Sequence, residues 1–285
     1  MKKILLAATS FVVLTGAAQA ADLPDTFIEP VAMPMMAPTW TGGYVGAMAG
    51  YAFRGDDDNI LVFDTDLDGA FDDTVFTGAG ANAFGPGFCS GTPNGVTPAA
   101  GCDDDDEGGF TGSIRAGYDY QFGTFVAGGL LEFAYVDLEE ATTGFSTTPA
   151  NYVIERELDY TLAARLRGGV AFDRALVYAT AGGVYGELDY EFSTSNTANT
   201  FTTNNDDEGE FGFQVGGGVE YLITENLSLT GEYLYTRFDA DDFTVRAGGP
   251  VVNPFTLVNP AGTDFKIDED EFDYHTVHAG VSYRF

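Results

Sequence analysis

Positive charge is what this sequence most lacks. Its 285 residues carry 12 Lys and Arg against 44 Asp and Glu, a formal net charge of -32. Phosphate binding needs a basic surface, so this balance argues against nucleic acid as a partner. It also argues against anionic lipid headgroups, except through bridging divalent cations. Long hydrophobic runs are missing too. Beyond the first residues, no apolar run reaches the length of a transmembrane helix, so any membrane insertion must use β-strands. Histidine is scarce, and both copies, His275 and His278, fall in the final segment. A His-dependent catalytic site assembled from several loops therefore has no second His to use. The only cysteines are Cys89 and Cys102. In an oxidising envelope compartment they would pair, stabilising the loop between them by about 3 kcal/mol on the chain-entropy view. The alternative is two free thiols.

The first residues read as an address. Lys2 and Lys3 form a positive region, Ile4 to Gly16 is a short apolar core, and Ala18-Gln19-Ala20 fits a small-x-small cleavage site. Residues 1–20 are expected to be a signal peptide cleaved after Ala20, rather than a retained anchor. Cleavage leaves 10 cationic residues against 44 acidic, a net of -34. Residues 21–39 contain Pro24, Pro30, Pro34 and Pro38 and read as an extended lead-in. Residues 40–285 are expected to form one domain, beginning at Trp40, the only Trp.

What the sequence has in quantity is Gly (37), Phe (24) and Tyr (15), set in segments of alternating character. In the last segment Val277, Ala279, Val281, Tyr283 and Phe285 alternate with Thr276, His278, Gly280, Ser282 and Arg284. Successive side chains of a strand point to opposite faces, so this strand has one apolar and one polar face. The same pattern recurs over about Thr41 to Phe53, Phe110 to Phe122, Phe125 to Tyr135, Leu158 to Phe172, Ala175 to Gly186, Glu210 to Leu222 and Leu227 to Phe238. Eight strands result. Their connections alternate long and short: a loop over about 54–109, then a turn at Gly123-Thr124, a polar loop to Glu157, a turn at Asp173-Arg174, an acidic loop over Glu187 to Gly209, a turn at Thr224 to Asn226, and a loop over Asp239 to Asp270. Each segment supplies the roughly 9–11 residues of a tilted membrane crossing, and tight turns on one side with long loops on the other suit an up-and-down antiparallel transmembrane barrel.

Charge supports this register. Arg115, Asp119, Glu132, Arg165, Arg167, Glu220, Glu232, His278 and Arg284 all share the polar parity of their strands. On a lipid face an Arg at the midplane would cost about 2–4 kcal/mol. Inside, acids and bases can pair. Eight strands leave an interior that side chains can fill, so these nine residues are expected to plug the lumen as a charge network. A soluble ligand-binding barrel of lipocalin type is the competing reading. It would turn the apolar face inward and expose Arg165, Arg167 and Glu220. His275 and His278, three apart on one strand, point to opposite faces and do not suit a metal pair.

Trp40-Thr41-Gly42-Gly43-Tyr44-Val45-Gly46 resembles the opening strand of the small porin-family outer-membrane proteins, Gram-negative surface antigens with an OmpA-like barrel. His275 to Phe285 resembles their closing strand. Val219-Glu220-Tyr221, Glu232-Tyr233-Leu234-Tyr235 and Leu166-Arg167-Gly168-Gly169-Val170-Ala171-Phe172 are similar to inner segments. The resemblance covers the barrel without its loops. It implies an eight-stranded integral protein of the outer membrane, with Tyr283 and Phe285 serving as the signal read by the barrel-assembly machinery, and it implies no catalytic activity. The sequence departs from the family in placing His278 where Arg or Lys is usual. Its first loop is also longer and more acidic.

Two loop features carry chemistry of their own. Asp64, Asp66, Asp68 and Asp72, with Gly69 among them, have the spacing of a Ca²⁺ loop, although Val75 stands where the closing Glu would be. The bland reading is a solvated acidic run. Further acidic runs at 103–107, 206–208, 239–242 and 268–271 would ring the barrel mouth, where divalent cations could bridge them to lipopolysaccharide phosphates. The functional expectation is a structural, surface-exposed barrel with a plugged interior, suited to an antigen, adhesion or envelope-integrity role. The alternatives are a small cation-preferring diffusion channel and, more remotely, a lipid-modifying enzyme with its site at the rim.

Overall fold

The computed structural model describes residues 39–55, 59–103, 108–204, 207–239, 243–249, 253–269 and 271–285. The expected signal peptide, and all of the Pro-rich lead-in except Thr39, lie outside the described residues. Eight long strands form the main sheet: Gly42–Phe53, Gly109–Phe122, Phe125–Ser146, Ala150–Phe172, Ala175–Thr194, Asp207–Leu222, Leu227–Asp239 and Glu271–Arg284. Every neighbouring pair is antiparallel. The first strand pairs with the eighth, Tyr44 opposite Arg284, which closes the ring.

Alternation decides which face looks out. Ile114, Leu166 and Phe211 point outward and are 64%, 74% and 73% exposed, whereas Arg165 and Glu220 point inward and are 2% and 0% exposed. In water this arrangement would be inside out. In hydrocarbon it is the favoured one, because closure pairs the backbone groups of every strand and the apolar side chains meet lipid. The lipocalin alternative, which needs the opposite orientation, is thereby excluded. The tight turns fall where expected. Gly123 (φ 66°) and Asp173 (φ 54°) begin two of them, in the left-handed region that Gly occupies freely and Asp tolerates.

The stretches expected as polar loops after the third and fifth strands are largely folded. The third and fourth strands continue as one hairpin to Ser146 and from Ala150, and the fifth continues to Thr194. A register shift between Tyr135 and Leu138, and another between Leu158 and Tyr160, mark the boundary. Above it the outward positions turn acidic (Asp137, Glu139, Glu157, Asp159), while Val136, Leu138, Leu158 and Ile154 stay buried. A bulge that alters strand facing at a barrel rim has this effect.

On this extension stands a second, four-stranded sheet, here called the crown, in the order Thr200–Thr203, Val245–Gly248, Thr263–Ile267, Leu61–Asp64. Its strands come from three separate connections that the sequence presents as polar. An aromatic core holds it. Phe265, fully buried, lies 5.8 Å from Phe63, 5.5 Å from Phe192 and 6.4 Å from Tyr152, measured between ring centres. Within the first connection Gly87–Ser90 pairs with the extended third strand, and Thr92–Pro93 pairs with Cys102–Asp103. Cys89 and Cys102 are joined by a disulfide with their Cα atoms 6.4 Å apart.

Candidate functional site

The inward-facing side chains of the barrel assemble in tiers. The lowest tier lies at the short-turn end. Arg167 donates from Nε to Asp119 Oδ1 (2.9 Å) and from Nη2 to Asp119 Oδ2 (2.5 Å), while its Nη1 reaches Glu220 Oε2 (2.9 Å). Arg284 donates to Glu220 Oε1 (3.1 Å), to Asp119 Oδ2 (2.6 Å) and to the Trp40 carbonyl (2.6 Å). Ser228 Oγ donates to Glu220 at 2.7 Å. Two guanidinium groups thus share two carboxylates, and the tier is neutral. Arg284 also sits 5.0 Å from the Trp40 ring centre and 4.9 Å from that of Tyr44, and the fully buried Trp40 closes the floor.

The middle tier is built from Arg115, Arg165, Glu132 and Glu232, and is likewise neutral. Arg165 reaches Glu132 (2.9 Å) and Glu232 (3.2 Å), and Arg115 reaches Glu232 (3.3 Å). Tyr178 donates to Glu232 at 2.6 Å. His278 is buried beside this tier but joins no ion pair among the described residues, and its Nε2 lies 3.3 Å from Thr111 Oγ1. Burial makes isolated charges costly, so matched charge within each tier is what permits it.

Above the tiers Leu158, Leu188, Phe238, Phe272 and Tyr274 form an apolar stopper, each at most 1% exposed. A third polar tier caps it. Glu140 accepts from Arg54 (2.9 Å), Arg156 (2.9 Å) and Asn59 (2.6 Å), and Arg54 lies 4.4 Å above the Phe272 ring. Sequence reasoning missed this tier because all four polar residues were assigned to loops. One signal was available: Glu140 keeps the parity of Glu132, eight residues earlier on the same strand.

Of the four acids at Ca²⁺-loop spacing, Asp64 and Asp66 come together, and their third companion is Asp73; these three can present carboxylate oxygens within 4.8 Å of one another. Asp68 and Asp72 are exposed and stand outside the trio. The Asp64 carboxylate already accepts backbone N–H groups from Leu67 (2.6 Å), Asp68 (3.2 Å) and Gly69 (2.8 Å). Asp73 accepts from the Thr65 hydroxyl and amide, both at 2.8 Å, and these bonds hold its carboxyl below the usual carboxylate range. Partial desolvation, then the Asp68 charge, raises that of Asp66. The acidic runs at 103–107, 206–208, 239–242 and 268–271 lie partly outside the described residues.

A closed antiparallel ring of eight strands, aromatic and apolar outside and charge-filled within, defines an integral β-barrel of an outer membrane. The model of the outer membrane protein beta-barrel domain matches residues 6–285, and the chain belongs to that family. Its place is the Gram-negative outer membrane. The chain is 28% identical over 291 residues to the 31 kDa outer-membrane immunogenic protein of Brucella melitensis, covering 100% of both chains. It is 28% identical over 140 residues to a 22 kDa outer membrane protein of Rhizobium leguminosarum bv. viciae, covering 49% of this chain and 58% of the relative. Among solved structures it is similar to the outer membrane protein OprG from Pseudomonas aeruginosa, with 13% identity, a TM-score of 0.44, and coverage of 86% and 96% of the two chains.

Proposed function

We propose that the protein is a non-conducting structural barrel that holds a folded crown at the cell surface, where it serves as an antigen and an envelope-integrity element. One observation carries this reading: the lumen is filled, from the Trp40 floor through two neutral ion-pair tiers to the stopper of Phe238, Phe272 and Tyr274. The name of the Brucella relative, an immunogenic outer-membrane protein, supports exposure of the crown. Export with cleavage after Ala20 belongs to the same reading. So does assembly through the closing strand, whose Tyr283 and Phe285 face outward, 49% and 74% exposed. A non-catalytic role fits the two histidines: His275 faces the outside beside Tyr233 and His278 sits against Thr111 in the lumen. In planar bilayers the refolded protein is expected to be electrically silent, and steady conductance would sink the reading.

A cation-preferring pore is the second reading. It is favoured by a strip of buried polar atoms on the seventh and eighth strands. Thr230 Oγ1, Thr276 Oγ1, Ser282 Oγ and His278 Nδ1 make no hydrogen bond among the described residues, and such groups call for water. The same bilayer recording decides between the two.

Lipopolysaccharide is the proposed lateral partner, through divalent cations. The support is a row of like charges on the outer wall above the register shifts: Glu139 is directly opposite Glu157, and Glu157 is directly opposite Asp189. Like charges in such positions repel. Partial desolvation, then the charges of Asp159 and Glu139, raises the Glu157 carboxyl above its ordinary range. The folded state then binds more protons at this site than the unfolded one, so its contribution to stability improves as pH falls through the raised value toward the ordinary one. Glu157→Gln is expected to raise the melting temperature of the micelle-held protein in EDTA at neutral pH. With Mg²⁺ and lipopolysaccharide present, the gain should vanish or reverse. An equal gain under both conditions would show that no cation bridges the row.

A further inference from the structure

The crown contains a cavity that the lumen reading leaves unused. Its volume is about 380 Å³, and four segments from four different connections meet around it. That volume lies near the lower end of small-molecule sites, about 300–1,000 Å³, with room for roughly one or two sugar rings. Its floor is aromatic. Tyr152 stands 5.0 Å from Phe84 and 6.0 Å from Phe255 between ring centres, and all three are almost wholly buried, so they back the cavity while Ala83, Pro149 and Pro254 complete its apolar wall.

Its rim is polar but uncharged. Among the described residues no Asp, Glu, Lys or Arg lines it. That is unusual on a chain with a net charge of -32, where acids crowd the neighbouring loops. The rim amides are fixed in place. Asn196 Nδ2 donates to the Tyr152 hydroxyl (2.8 Å) and to Asn199 Oδ1 (3.0 Å), while Asn199 Nδ2 donates to the Gly248 carbonyl (3.0 Å). The Tyr152 side chain is 98% buried as a residue, and its hydroxyl accepts from Asn196 while donating to no group among the described residues. The hydroxyls of Thr147, Thr148 and Thr197 add donors and acceptors around the mouth, with no hydrogen bond of their own among the described residues.

Each feature narrows the ligand. A cation would find no carboxylate in the cavity. An anion would have to approach through the acidic field of the loops, which repels it. A purely apolar molecule would strip water from the amides and hydroxyls without replacing their hydrogen bonds. A pyranose has what remains: C–H faces to lie against the apolar wall of Ala83, Pro149 and Pro254, and hydroxyls around its edge to meet amides and threonines. We propose that this cavity is a binding site for an uncharged sugar, either free or as a residue of a neutral polysaccharide.

The test is saturation-transfer NMR on the full refolded protein in nanodiscs. Free glucose, galactose, mannose and N-acetylglucosamine form one arm, and dextran and galactomannan form the other. Transfer to ring protons of at least one probe is expected, with affinities weaker than about 1 mM for single sugars. Signal in the first arm identifies a free-sugar site, and signal confined to the second identifies a site for an extended glycan. Ala198→Trp, at the exposed rim, should weaken binding at least about tenfold by filling the mouth. Tyr152→Phe keeps the floor but removes the hydroxyl, and should weaken it roughly fivefold. Resistance of the connections around residues 61–103 and 243–269 to proteolysis verifies that the crown of both variants is folded. Absence of transfer from every probe, or transfer unchanged in folded Ala198→Trp, overturns the proposal.

Discussion

Glu220→Ala is expected to lower the unfolding stability of the barrel by about 3–5 kcal/mol, the usual result of removing one partner from a buried ion pair. The geometry makes this a sensitive lumen position. One oxygen of Glu220 accepts from Arg284 (3.1 Å) and Ser228 (2.7 Å), and the other accepts from Arg167 (2.9 Å). Without it, two buried guanidinium groups share Asp119 alone. The measurement is convenient, because Trp40 is the only Trp and Arg284 lies 5.0 Å from its ring, so Trp fluorescence during urea unfolding reads this tier directly. Adding Arg167→Ala to Glu220→Ala restores equal charge, one Arg284 to one Asp119. The double variant should therefore be more stable than Glu220→Ala alone, despite having lost more atoms. If the two losses simply add, charge balance is not what holds the tier together.

Charge parity was also what made the barrel legible in the sequence. Arg165 and Arg167 could face only the lumen, and one such pair fixes the facing of a whole strand because the side-chain period is two. The eight strands, their turns and the two lower tiers follow from that. Above the membrane the same rule misleads. Outward positions on the third strand change from Leu131 and Phe133 to Asp137 and Glu139, since the surrounding solvent changes from lipid to water. Polar text then looks like loop, although Val136 and Leu138 continue the buried face. On the fourth strand the shift between Leu158 and Tyr160 moves the buried set from Thr161 and Ala163 to Leu158 and Arg156, so the parity itself breaks. The crown was illegible for a different reason. Phe84 and Phe265 stand singly among Gly, Asn, Thr and Asp, Phe63 ends only the short run Ile60 to Phe63, and only the return of distant connections to one place brings them together with Phe255. Glu140 and Arg156 were lost with the extension that carries them, and Arg54 with the first connection.

Phe265→Ala should then separate the two parts of the molecule. Phe265 is 0% exposed and packs against rings from the first connection (Phe63), the fourth strand (Tyr152) and the fifth strand (Phe192). Truncating a buried Phe costs about 3–5 kcal/mol when the surroundings cannot collapse into the space. The crown holds few strands and no lipid constrains it, so a loss of that size is comparable to its whole local stability. The barrel below is closed by its own ladder and by the ion pairs of its two lower tiers. The expected result is rapid proteolysis of the connections around residues 61–103 and 243–269, with heat-modified migration and Trp40 fluorescence both unchanged. If the barrel signal falls together with the crown, the two are one cooperative unit. The long hairpin formed by Phe125–Ser146 and Ala150–Phe172 would then be the element that couples them, since it is shared by both.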